Sequence, residues 1–193
     1  LHLVIRTYFR KAKEGERWGQ ERLVSWAKSL FEKDRIHSSR NPTGSPWPDE
    51  KYPPVLLREY HYEEEDAEQL TAEASHRLEV AIKNFLEMSE IEEIRKHGSF
   101  ENSVIEKRFT IDYPFGKISG QIDLAYRYED GVTVVDWKLG GFNESAEDSL
   151  QLATYSMWAI DHFGIDLDVD DMKVLKVHLY DGNTSEFSVS SGK

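Results

Sequence analysis

Apolar positions along this chain follow two rhythms, and the change comes near residue 100. Before it, apolar residues recur every three or four positions, the spacing of one helix face. Leu1, Ile5, Tyr8, Phe9 and Ala12 predict a first helix over residues 1–14, ended by Gly15. Leu23, Trp26, Ala27, Leu30 and Phe31 predict a second over residues 18–33. From Asp34 to Pro54 the rhythm lapses into Ser38-Ser39, Asn41-Pro42, Gly44 and several prolines, an irregular connection with Trp47 as its one anchor. A long helix is predicted over residues 63–87, with Leu70, Ala74, Leu78, Ala81, Ile82 and Phe85 as its buried stripe. The acidic run Glu63 to Asp66 suits the positive end of that helix. A short helix over residues 90–97 follows, and Gly98 ends it.

After residue 100 the alternation of strands takes over. A strand is predicted over residues 103–112, with a turn at Tyr113-Pro114-Phe115-Gly116. Two more, over residues 117–128 and 132–138, are joined at Asp130-Gly131, a strong hairpin signal. Next comes a helix over residues 145–163, its core face read as Leu150, Ala153, Met157 and Ile160 with Trp158. Strands over residues 172–180 and 185–190 turn at Asp181-Gly182-Asn183. This order predicts an α/β (α+β layered) fold: a central mixed β-sheet with an antiparallel core hairpin, flanked by helices. Residues 1–193 are expected to form one domain, mainly helical up to residue 100.

Composition narrows the chemistry. With no cysteine there is no disulfide, cysteine-ligated zinc, iron–sulfur cluster or cysteine nucleophile. No stretch is apolar enough for a membrane helix, so no membrane partner is expected. An intracellular, cytoplasmic location is expected, at the nucleoid when the protein works on DNA. The net charge of −12 counts against a simple nucleic-acid-binding module. Carboxylates that hold a cation reverse the local field, however. The first residue is Leu1, not Met, which suggests a piece of a longer polypeptide.

The hairpin carries the chemistry. If Asp130-Gly131 is its two-residue loop, Ala125 lies opposite Asp136 and Asp123 opposite Lys138. Asp123 and Asp136 are then diagonal neighbours on one face, roughly 7 Å apart at the backbone. A one-residue slip would separate them. Two carboxylates and an ammonium at one point suit a magnesium ion and an anionic substrate. Metal-assisted phosphodiester hydrolysis uses all three groups. Asp136 and Lys138 taken alone read equally well as a structural ion pair. Gln151 and Tyr155 share a helix face and, by themselves, read as an ordinary polar pair. Local context makes His2 a surface residue, and Glu106 a strand residue pairing with Lys107 or Arg108. The run Asp166 to Asp171 lacks the glycine and final glutamate of a calcium loop. Dinucleotide, Walker and nucleophile-elbow motifs are absent.

Taken in order, Gly120-Gln-Ile-Asp123, Val134-Val-Asp136-Trp-Lys138-Leu-Gly140 and Gln151-Leu-Ala-Thr-Tyr155 resemble the PD-(D/E)xK nuclease superfamily, in its RecB-like branch. The resemblance implies a restriction-endonuclease-like fold and a Mg2+- or Mn2+-dependent deoxyribonuclease. Asp123 and Asp136 would bind metal, Lys138 would be the catalytic lysine, and Gln151 and Tyr155 would support the site and contact DNA. His2 would join the metal shell, which reverses its local reading, and Glu106 would correspond to a glutamate found before the Asp strand. The resemblance further implies an exonuclease attached to a helicase in DNA repair or recombination. A nuclease-fold module that binds DNA without cutting is the alternative.

Overall fold

The computed structural model describes residues 1–42, 54–97, 103–114, 116–128, 131–139, 146–163 and 172–187. Its elements are α1 (His2–Lys13), α2 (Gln20–Arg40), α3 (Arg58–His61), α4 (Ala67–Glu87), α5 (Ser89–His97), β1 (Val104–Tyr113), β2 (Gly116–Tyr128), β3 (Gly131–Lys138), α6 (Ala146–Phe163), β4 (Met172–His178) and β5 (Asn183–Phe187). The strands form one sheet in the order β1-β2-β3-β4-β5. All neighbours are antiparallel except β3 and β4, which are parallel and joined through α6. This is the mixed sheet with an antiparallel hairpin that the alternation predicts.

Helices cover both faces. On one, Val4, Ile5, Phe9, Leu23, Ile82 and Phe85 pack with Leu124, Val135 and Trp137 of the sheet. On the other, Leu152, Tyr155, Trp158 and Ala159 of α6 pack with Ile122, Val132, Val134 and Val174. Burying an apolar layer on each face stabilises the sheet by roughly 25 cal/mol per Å² removed from water. No described helix is long and apolar enough to cross a membrane.

Helix α1 ends in a Schellman motif. Gly15 has φ +82°, Glu16 N–H donates to the Lys11 carbonyl, and Gly15 N–H to that of Ala12. The structure departs from the sequence expectations in five places. Helix α2 runs on to Arg40, through Ser38-Ser39. There Ser38 Oγ donates to the Asp34 carbonyl and accepts Leu57 N–H, while Asp34 Oδ1 accepts Val55 N–H. These bonds fasten the returning chain and keep the buried serine satisfied. Trp47 lies outside the described residues. Helix α4 begins at Ala67, with Glu63 to Asp66 preceding it as turns. The buried stripe of α6 is Leu152, Tyr155, Trp158 and Ala159, whereas Leu150, Ala153, Met157 and Ile160 are exposed. Strand β4 ends at His178, and Gly182, at φ +71°, makes the turn into β5, which starts at Asn183.

The fifth departure is the hairpin register. Tyr128 pairs with Gly131, so Gly131 belongs to the ladder and not to the loop. Ala125 consequently faces Val134, not Asp136. The pairing is shifted by two from the expected register, which preserves side-chain parity. The last β2–β3 pair is Leu124 with Val135. Beyond it Asp123 Oδ2 accepts the backbone N–H of Trp137 at 2.9 Å, where a β2 carbonyl would continue the ladder.

Candidate active site

Where the β2–β3 ladder stops, side chains from five elements meet. Asp123 is buried at the bottom. Its Oδ1 lies 3.4 Å from Nδ1 of His2, which arrives from the first turn of α1. The same nitrogen lies 2.7 Å from Glu106 Oε1 on β1. Gln121 on β2 donates to the other Glu106 oxygen. Donor atoms of His2, Glu106 and Asp123 all fall within 4.8 Å of one another, the one such group among the described residues. Glu106 therefore does not pair with Lys107 or Arg108 as local reading expects. His2, although exposed, is not an idle surface residue.

Glu106 sits in an unusual backbone state. Its φ is +49°, a region L-residues enter at a cost of about 1–3 kcal/mol. Counting across it, Ile105 pairs with Leu124 and Lys107 with Ile122, so no residue is inserted. The faces nevertheless change. Val104 packs toward α6 and Ile105 toward the other helices, yet Phe109, five residues past Val104, packs toward α6 again. On β2, Ile122 and Ala125 share the α6 side although three residues apart. Strict alternation permits neither. The phase of both strands resets where Glu106 and Asp123 stand.

A second group lies on β3 and α6. Asp136 is buried, with Lys138 Nζ 3.0 Å from its Oδ2. Gln151 Nε2 donates to Asp136 Oδ1 at 3.0 Å and to the Tyr155 hydroxyl at 2.6 Å. Gln151 Oε1 accepts from Lys138 at 3.2 Å. A buried carboxylate is tolerated when paired and hydrogen-bonded in this way. Asp136 is not a member of the group formed by His2, Glu106 and Asp123. Burial is the main force holding the Tyr155 phenol protonated, well above its ordinary pKa, with Asp123, Asp136 and Glu106 adding to it. Hydrogen bonds to the carboxylates of Asp123 and then Glu106 push His2 up to about 10 in the metal-free protein, against partial burial.

Gly120 acts at one remove. It pairs with Phe109, and a Cβ there would lie 2.7 Å from the ring tip of Phe109. The ring crosses β2 at this point and meets Tyr155 edge-on, with centroids 6.3 Å apart, and Trp158 at 5.8 Å. The glycine lets Phe109 brace the helix that carries Gln151 and Tyr155.

The sequence pattern of the PD-(D/E)XK nuclease superfamily matches residues 1–186. The chain belongs to the PD-(D/E)XK nuclease superfamily. No curated protein matches it. Superfamily members are typically metal-dependent nucleases, and this chain carries a nuclease-type domain on the mixed sheet flanked by helices described above. An imidazole and two carboxylates fit a divalent cation that prefers oxygen and tolerates nitrogen. Glu106 and Gln121 are the members that residue-level reading misses. Nothing in Val104 to Phe109 announces a left-handed glutamate, although Gln121 stands inside the Gly120–Asp123 motif.

Proposed function

We propose that residues 1–193 form one nuclease unit that hydrolyses DNA phosphodiester bonds with Mg2+ or Mn2+. The observation that supports this best is the meeting of His2, Glu106 and Asp123 beside the Asp136–Lys138–Gln151–Tyr155 network where the β2–β3 ladder stops. His2, Glu106 and Asp123 would hold the ion, with Asp136 sharing it from β3. When bound, such an ion polarises a phosphoryl oxygen and offsets charge developing there. Asp136 and Gln151 hold Lys138 with two of its three ammonium donors, leaving one for the attacking water or the phosphate. Tyr155 accepts from Gln151 and keeps its own proton to donate to a phosphate oxygen. Water forms the new P–O bond as the bond to the sugar oxygen breaks, and the leaving oxygen takes up a proton.

The RecB-like motif order further supports an exonuclease working beside a helicase in DNA repair or recombination. Lys138→Ala and Asp136→Ala are each expected to slow Mn2+-dependent cleavage of linear DNA by about 100-fold or more, with the fold retained. Undiminished cleavage by both variants would sink the proposal. The net charge of −12 favours one rival, a DNA-binding module that does not cut. Calorimetry separates them: manganese binding supports the nuclease, and DNA binding without manganese binding supports the rival.

A further inference from the structure

Helix α1 is basic in an acidic protein. The chain carries 36 acidic and 24 basic side chains, yet His2–Lys13 holds Arg6, Arg10, Lys11 and Lys13 and no carboxylate. Lys11 is held by Glu14 and Glu16. The exposed positions His2, Arg6, Arg10 and Lys13 fall at helical spacing and so form one stripe. That stripe starts at the metal-binding group and runs about 16 Å. Lys13 at its far end donates to the Ser103 carbonyl, which ties the helix alongside the start of β1.

A second cation is carried by β1. Arg108 is paired across the strands with Gln121, the residue that donates to Glu106. Directly opposite residues project from the same face, so Arg108 flanks the carboxylate cluster from β1. Lys107, its neighbour, points toward α6, where it adds to the burial that lowers the His162 pKa. Arg6 and Arg108 are both exposed, and neither has an ion-pair or hydrogen-bond partner among the described residues.

We propose that Arg6 and Arg108 are the two halves of a phosphate clamp, which seats a single DNA strand across the metal-binding group with the α1 stripe as its track. This rests on the nuclease reading for the strand's destination, but it makes its own claim about binding. Guanidinium forks suit phosphate oxygens, and an unpaired one gives up no protein contact on binding them. The clamp also explains how so acidic a chain admits a polyanion: entry runs along α1, which carries no carboxylate.

The test uses a fluorescein-labelled single-stranded DNA oligonucleotide, with anisotropy read in EDTA across a salt series. Arg6→Ala and Arg108→Ala should each reduce the slope of log affinity against log salt by about 0.7, and the double variant by about 1.4. Lys83→Ala, an exposed cation on α4, should leave it unchanged. In Mn2+ cleavage assays the two variants should raise KM with kcat nearly constant, and manganese binding should match the parent protein. An unaltered salt slope in the double variant, or no oligonucleotide binding by the parent protein, overturns the clamp. If the slopes fall as expected while the parent protein cuts nothing, the clamp stands and the nuclease reading falls. If Lys138→Ala abolishes cleavage while the clamp variants bind normally, the reverse holds.

Discussion

Gln151 uses both hydrogens of its amide nitrogen and its oxygen, and each has a different partner. A flipped amide would set oxygen against the Asp136 carboxylate and nitrogen against the Lys138 ammonium, so the orientation is fixed by charge. From sequence, Gln151 and Tyr155 are two polar residues four apart. Their role becomes visible only once β3 is placed beneath them. His2 shows a related gap. Its partner Glu106 is 104 residues away, and no local signal announces such a contact. The raised pKa of His2 has a consequence for the metal-free protein. A folded pKa of about 10 against an ordinary value of 6.5 means the folded state binds the proton more tightly. The resulting stabilisation is complete below pH 6.5, declines as pH rises, and is gone above about 10. Thermal melts in EDTA should therefore show the parent protein's advantage over His2→Ala shrinking between those limits. A constant difference would contradict the arrangement.

At the scale of elements, strands were legible and helix faces less so. Alternation and turn residues are local, so all three strands of the meander emerge within a residue or two of their observed bounds. Even the misplaced register kept every paired side chain from Leu124 to Tyr128 on its expected face, because a shift of two preserves parity. Helix α6 is different. Leu150, Leu152, Ala153, Met157, Trp158, Ala159 and Ile160 put apolar groups nearly all round it, and periodicity cannot choose among them. The docking of Tyr155 and Trp158 against Phe109 makes the choice. In α2, Ser38 and Asn41-Pro42 read as breakers, but a tertiary bond to Leu57 N–H keeps Ser38 helical. Gly120→Ala should test the brace under α6. Its methyl group must displace the Phe109 ring, at a cost of about 1–3 kcal/mol. Urea unfolding should show that loss, and Phe109→Leu in the same chain should recover part of it. Additive losses would mean that the glycine and the ring act independently.

The whole molecule brings the site together from both of its layers. Helix α1 contributes His2 from one side of the sheet and α6 contributes Gln151 and Tyr155 from the other, so neither layer alone completes it. An ion held by His2, Glu106 and Asp123 would bind the folded chain and not the unfolded one. At 100 times its Kd, Mn2+ should add about 2.7 kcal/mol and raise Tm by roughly 5–10 °C. Asp123→Ala should abolish most of that rise, and an equal rise in the variant would place the ion elsewhere. The left-handed turn of the backbone at Glu106 reaches further still. It works as a railway point set in the middle of a strand. Upstream of it, Ile105 runs with the N-terminal helices; downstream, Phe109 and Ile111 run with α6. Were that one dihedral to relax to an extended value, Phe109 and Ile111 would turn together to the face that Ile105 occupies and leave Tyr155 without its brace. The residue that throws the switch is also one that would grip the ion, so one glutamate would join the packing of β1 to the binding of metal.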